Sequence, residues 1–362
     1  MFTTILSSLI FRFTSLVLPL LFCTFTHASI LNQAIVLQYH HISDTTPAST
    51  SVSPTKFIEH LDLINEMGFK VLPLTEVIKQ INNPVQASSK TLAISFDDGY
   101  LSIYKNAFPE LKKRGFPFTI FVSPNAIDNQ HGNSLNWQQL KEMINYGATI
   151  ANHSLNHDHL LIKNDNELMT DWKNRIVSNI EGAQNRLVEE LGINHRFFAY
   201  PYGEFNQALK TILKELNYTA FSQQSGPISS CSDFQSLPRF PASGQYSKLD
   251  TLRIKINSLA FDITQEAPIS EIQNFGENAA ILELKVKAED INKAQLQCFY
   301  LDKKINTEVA QVGNYLTIKA TSDTPLNEGR SRYNCTAPSL SQPRFYWYSM
   351  PFVTLKRKGT LH

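Results

Sequence analysis

Thr91-Leu92-Ala93-Ile94-Ser95-Phe96-Asp97-Asp98-Gly99 is the stretch on which the reading of this 362-residue chain turns. An apolar run of strand-like composition ends abruptly in two adjacent carboxylates and a glycine. Further along, a second apolar run, Ala148-Thr149-Ile150-Ala151, delivers His153-Ser154-Leu155-Asn156-His157. One carboxylate and two imidazoles can hold a divalent metal with positions left for water and substrate. The second carboxylate can then take that water's proton. The outline is that of a metal-assisted hydrolase.

Outward from these two runs, strands and helices alternate from Ala34 to about Phe221. Ala34-Ile35-Val36-Leu37-Gln38-Tyr39 reads as a strand, and Pro54 to Met67 as a helix capped by Ser53 and stopped at Gly68. Lys90 to Phe96 is a strand, Tyr104 to Arg114 a helix, Phe116 to Val122 a strand and Trp137 to Tyr146 a helix. Ile176, Ile180, Ala183, Leu187 and Leu191 then recur at helical spacing up to Gly192. Phe197 to Tyr200 and Tyr218 to Phe221 are further strands. Such alternation implies a parallel sheet, either open or closed into a barrel. In both, catalytic groups gather at the C-terminal ends of strands. Asp97, Asp98, His153 and Tyr202 all fall there.

After about Ser258 the period changes. Leu282, Leu284 and Val286 alternate with Glu283, Lys285 and Lys287, and no helix-length pattern interrupts the strand-like runs beyond them. A small antiparallel β-sandwich is expected over 259–362, behind an α/β domain over 29–258. It is expected to aid substrate or partner docking without supplying catalytic groups. Tyr346-Trp347-Tyr348 is a candidate aromatic platform for substrate within it.

Residues 1–28 read as a leader. Arg12 is its only formally charged residue, Phe13 to Phe25 is almost wholly apolar, and Thr26-His27-Ala28 offers small residues where a signal peptidase cuts. The apolar run, interrupted by Pro19, falls short of the ~20 residues that span a bilayer. Export with cleavage after Ala28, to the periplasm or beyond, is therefore expected, with no stable transmembrane segment left. The chain carries a formal net charge of +1, and losing Arg12 leaves basic and acidic residues balanced. A neutral chain without basic blocks argues against nucleic acid as partner and suits an uncharged polymer. Of the cysteines beyond the leader, Cys298 and Cys335 share the β-patterned region and are expected to pair, leaving Cys231 reduced.

A third constellation joins the two motifs: Phe197-Phe198-Ala199-Tyr200-Pro201-Tyr202-Gly203, where a proline and a glycine around one aromatic force a sharp exit from a strand. With it, the chain resembles the NodB-type polysaccharide deacetylases. Ser95-Phe96-Asp97-Asp98-Gly99, His153-Ser154-Leu155-Asn156-His157 and Ala199-Tyr200-Pro201-Tyr202-Gly203 match that family's motifs in order. The resemblance covers about 34–243 and implies a distorted (β/α) barrel of about seven strands. It implies Asp97 as base, Asp98, His153 and His157 as metal ligands, and the Tyr202 N–H as oxyanion donor. The substrate it implies is an N-acetylated amino-sugar polymer.

Two positions depart from the family pattern. Ala199 replaces the arginine that orients the base, and no late histidine supplies the acid. Both departures resemble the exported, circularly permuted poly-β-1,6-N-acetylglucosamine deacetylase branch, whose early Tyr-His is matched by Tyr39-His40. His40 thereby inherits the role of general acid, expected on the side of the metal opposite Asp97, with His41 pointing the other way. Arg239, in Leu237-Pro238-Arg239-Phe240, is the candidate to replace the lost arginine. Trp137, Pro201 and Arg239 complete the candidates on the substrate side, and His159 is a surplus histidine near the ligand motif. The two-histidine, one-aspartate set suits Zn2+, with Co2+, Ni2+ or Fe2+ as alternatives. β-1,4-linked chitin or peptidoglycan glycans are the alternative substrates, and a non-catalytic glycan-binding protein is the alternative of another class.

Overall fold

The computed structural model describes residues 32–83 and 90–356. The leader, its cleavage point at Ala28 and His362 lie outside the described residues. β1 (Gln33–Tyr39) is followed by the short pair β2 (His41–Ile42) and β3 (Ser51–Val52), α1 (Pro54–Glu66), β4 (Lys70–Val71) and α2 (Leu74–Asn82). α1 starts where the sequence predicts. The Ser53 side chain accepts from the Lys56 N–H, and Phe57, Leu61 and Ile64 are buried on one stripe.

β5 (Thr91–Phe96) leads through a π-helical turn, Ile103–Ala107, into α3 (Phe108–Arg114). The sequence predicts one α-helix here. Pro109 has no N–H to return to the preceding turn and its ring crowds that carbonyl, so the helix widens just before it. β6 (Phe118–Val122), α4 (Pro124–Asp128), α5 (Trp137–Ile144) and β7 (Ala148–Asn152) follow. α6 (Met169–Leu191), β8 (Phe197–Ala199), α7 (Gln207–Glu215) and β9 (Thr219–Phe221) come next. α6 buries Trp172, Ile176, Ile180, Ala183 and Leu187, and stops at Gly192 in the left-handed conformation.

These strands form a curled half-barrel in the order β1-β5-β6-β7-β8-β9, all parallel, with β10 (Ile228–Ser229) antiparallel on the outer side of β1. One segment spans the remaining gap between β9 and β1. Leu237 bridges Phe221 at the end of β9, and β11 (Phe240–Pro241) pairs in parallel with Leu37 and Gln38 of β1. Arg239 lies between those two anchors. α8 (Leu249–Ile256) then leads out of the barrel.

The remaining strands are β12 (Leu259–Ala260), β13 (Ile263–Glu266), β14 (Ile272–Gln273), β15 (Leu282–Lys287), β16 (Gln297–Tyr300) and β17 (Lys303–Lys304). β18 (Asn306–Val312), β19 (Tyr315–Thr321), β20 (Gly329–Pro338) and β21 (Phe345–Thr354) complete the set. One sheet runs β12-β21-β20-β16-β17 with β14 also on β21, the other β13-β15-β19-β18. Leu282, Leu284, Val286 and Ile318 from one sheet meet Tyr333, Cys335 and Phe352 from the other in a shared core. The expected sandwich differs in one respect: β12 and β14 join β21 in parallel. Cys298 and Cys335 are direct cross-strand partners and form a disulfide, and Cys231 is free.

Tyr346, Trp347 and Tyr348 do not present one flat face. Successive strand residues point to opposite sides of the sheet. Tyr346 donates to Asp290, Trp347 lies edge-on to Phe240, and Tyr348 donates to Glu266. The barrel and the two sheets belong to one compact unit. Gln33 accepts from the Ala260 N–H at 2.8 Å, Arg344 donates to the Asn257 carbonyl at 2.8 Å, and Lys210 pairs with Glu271 at 2.9 Å. No helix among the described residues is long and apolar enough to cross a membrane.

Candidate active site

Parallel register places the site's first two groups side by side. Tyr39 of β1 is paired with Phe96 of β5, so the next residues, His40 and Asp97, emerge together at the C-terminal edge. The Asp97 N–H still donates to the Tyr39 carbonyl at 2.9 Å. Asp98 (φ 67°) and Gly99 (φ 65°) then turn left-handed. A side chain at residue 99 would also meet Val122 at 2.9 Å, which is why glycine follows the carboxylates.

β7 delivers the histidines. The buried His153 ring is oriented by its Nδ1, 2.8 Å from the Ala199 carbonyl. After it, Ser154 and His157 both take positive φ. The turn is tied by Ser154 N–H to Asn152 Oδ1 at 2.9 Å and by His157 N–H to Ser154 Oγ at 3.0 Å. It returns His157 to the same carboxylate: Asp98 Oδ1 is 3.3 Å from His153 Nε2 and 3.1 Å from His157 Nε2. The three donor atoms lie within 4.8 Å of one another.

These residues fit a metal ion. Asp98 Oδ1 and His153 Nε2 are buried and make no hydrogen bond. Two ligands bound at ~2.0–2.1 Å in a tetrahedral array stand about 3.3 Å apart, close to the two separations between Asp98 and the histidines. The charge balance agrees. Burial alone would push Asp98 up, yet the facing His153 and His157 hold its carboxyl well below the usual range. Burial likewise opposes an imidazolium at His153, but Asp98 and Asp97 outweigh it and raise its pKa. The cluster therefore favours a positive charge among its three donors.

Asp97 stands behind this group, fully buried. Arg239 donates to its two oxygens at 2.6 and 2.9 Å, and Gln38 Nε2 donates to Oδ2 at 2.6 Å. Burial disfavours the charged carboxylate, but Arg239 above all, then His153 and His40, hold its pKa below the ordinary value. Arg239 is itself 0% exposed, so it sits behind Asp97 and not on an accessible surface, where the substrate-side candidates were expected. Its guanidinium lies 5.1 Å from the Phe121 ring centre, in the same apolar cluster that takes in the small side chain of Ala199.

His40 Nε2 is 4.0 Å from Asp97 Oδ2. The ring thus stands close to Asp97, as the register of β1 on β5 places it. Burial lowers its pKa, against the pull of Asp97 and Asp98. His41 leaves in another direction and stacks on Tyr100 at 3.6 Å.

Tyr202 has φ 58° and ψ 0° in the turn after β8. Its ring is stacked on His159 at 3.7 Å and meets the His157 ring edge-on at 4.6 Å. His159 pairs with Glu204 at 2.8 Å and stands outside the three-donor group. Pro201 is buried and shapes the turn. Trp137 is occupied elsewhere: its indole N–H donates to Asp128 at 2.8 Å and the Arg186 guanidinium lies over its ring. Sequence reasoning passed over Gln38 and Tyr100. Gln38 carried a signal, a lone amide inside an apolar strand. Tyr100, whose pKa is raised by burial and by Asp98, carried only its place after the motif.

Residues 85–221 match the family model described as polysaccharide deacetylase. The chain is 28% identical over 233 residues to the poly-β-1,6-N-acetyl-D-glucosamine N-deacetylase of Staphylococcus epidermidis, covering 59% of this chain and 80% of that one. It is 28% identical over 186 residues to YxkH of Bacillus subtilis, which carries a polysaccharide deacetylase name, covering 51% of this chain and 61% of that protein's length. Among solved structures, the Streptococcus pyogenes deacetylase PplD in complex with acetate superposes with a TM-score of 0.56 at 24% identity, over 62% of this chain and 99% of that one. IcaB from Ammonifex degensii gives 0.54 at 24%, over 63% and 98%.

Proposed function

We propose that this chain, whose residues 85–221 match the polysaccharide deacetylase family model, hydrolyses N-acetyl groups from an N-acetylglucosamine polymer with the help of a divalent metal, Zn2+ first among the candidates. The observation that carries the reading is the placement of a buried, arginine-held carboxylate next to a carboxylate–histidine–histidine group with unsatisfied donor atoms.

Asp98, His153 and His157 would hold the ion, which lowers the pKa of water and polarises the acetyl carbonyl. Asp97, kept ionised by Arg239, accepts the proton of the attacking water. The Tyr202 N–H donates to the oxyanion that forms as the carbonyl carbon becomes tetrahedral. His40 passes a proton to the departing amine, which leaves poorly as an anion. Ala199 contributes through its carbonyl, which fixes the His153 ring.

Similarity to a relative named for poly-β-1,6-N-acetyl-D-glucosamine supports β-1,6-linked chains over β-1,4 as the substrate proposed here. The disulfide suits an exported protein. The test is acetate release from β-1,6- and β-1,4-linked N-acetylglucosamine oligomers by the metal-loaded chain. Faster release from the β-1,6 series supports the assignment. Release only from β-1,4 oligomers moves the substrate to chitin-type or peptidoglycan glycans. Binding with no release from either leaves a glycan-binding protein.

A further inference from the structure

The Tyr202 turn is held in a conformation that residues with side chains rarely adopt, and such conformations persist only where the surroundings fix them. The barrel supplies part of that restraint: His159 stacked on the ring, and the Gly203 N–H donating to the Tyr200 carbonyl at 2.9 Å. The rest comes from the sandwich. Arg330 of β20 donates to the Tyr202 carbonyl at 2.6 Å, and its guanidinium lies 5.9 Å from the centre of the Tyr202 ring. Arg332 is next on the same face of the strand and donates to the Tyr246 hydroxyl at 2.8 Å, in the turn after β11. β20 therefore touches two of the turns that lie beyond barrel strands. It lies outside the residues matched by the family model.

We propose that Arg330 is a positioning residue for deacetylation. It fixes the carbonyl of Tyr202, restrains rotation of that residue and so aims the Tyr202 N–H. The sandwich is on this account a working part of the site and not solely a docking module. The inference rests on the oxyanion role proposed above for that N–H. Arg330 is exposed, so its removal leaves the core intact and its effect on turnover can be read apart from folding.

The experiment compares Arg330→Ala and Arg330→Lys with the wild-type full chain, all metal-loaded. Arg330→Ala should lower kcat roughly ten- to hundred-fold, the scale of a small misplacement at a reacting centre, with KM and metal content unchanged. Arg330→Lys, which can still donate to the carbonyl, should recover part of the loss. Amide hydrogen exchange should quicken over residues 200–206 in Arg330→Ala and not in β7. A change confined to KM, or unchanged exchange over 200–206, overturns the proposal. Exchange is read whether or not the wild type releases acetate. Faster exchange in a chain inactive on every glycan would keep the clamp and refute the deacetylase reading.

Discussion

Asp97 and Arg239, 142 residues apart in the chain, meet in a fully buried two-bond pair at 2.6 and 2.9 Å. Arg239 arrives there because the segment that carries it closes the barrel between β9 and β1. The pair links the closure of the fold to the protonation state of the proposed base.

Arg239→Ala strips a buried carboxylate of its partner and should cost about 3–5 kcal/mol of stability, measurable by urea unfolding. The direction of the pH effect is set by the sign of the shift. Arg239 holds the Asp97 pKa down, so its loss raises that pKa, and the acid limb of kcat/KM should move to higher pH. An acid limb that stays in place would show that Asp97 is not the base.

His40→Ala should leave folding and metal content intact and cut turnover by ~10²–10⁴. Unchanged turnover would mean that the ring beside Asp97 tunes the carboxylate at most, and that the proton reaches the amine from another group.

Breaking the Cys298–Cys335 bridge by double alanine substitution should lower stability by roughly 3–4 kcal/mol in the chain-entropy model, given a sequence separation of 37. Mass mapping of non-reduced peptides should find Cys231 as a thiol. Cys231 bridged to either partner would contradict the cross-strand pairing.

Lys255, 3% exposed, has its pKa lowered to about 7, first by burial and then by Arg332. The unfolded chain therefore binds an extra proton between about pH 7 and the ordinary lysine value, and stability should rise with pH across that window. Below pH ~7 the penalty is constant. Lys255→Met should flatten the rise in thermal melting scans. An equally steep rise in that variant would assign the dependence to another group.

Much of the site was legible because its groups sit in short motifs at strand ends. Asp97, Asp98, His153, His157 and Tyr202 each come after an apolar run, and the parallel barrel brings those ends together. Contacts that depend on how distant segments are threaded were not legible. Nothing local to Pro238-Arg239-Phe240 says that it bridges two strands, nor does alternation in β20 show Arg330 reaching Tyr202. The position of His40 beside Asp97 could be found only from the register of β1 on β5. The π-helical turn before Pro109 was readable in principle from that proline.

The central claim is that Asp98, His153 and His157 hold a metal that Asp97 uses without binding. The direct measurement is metal content and acetate release, side by side, for the wild type, Asp98→Ala and Asp97→Asn. Wild type should carry about one equivalent of divalent metal per chain and release acetate, with release abolished by chelation and restored by Zn2+. Asp98→Ala should lose both metal and turnover, and Asp97→Asn should keep the metal and lose turnover. Full turnover by Asp98→Ala, or by chelated wild type free of metal, would contradict the account.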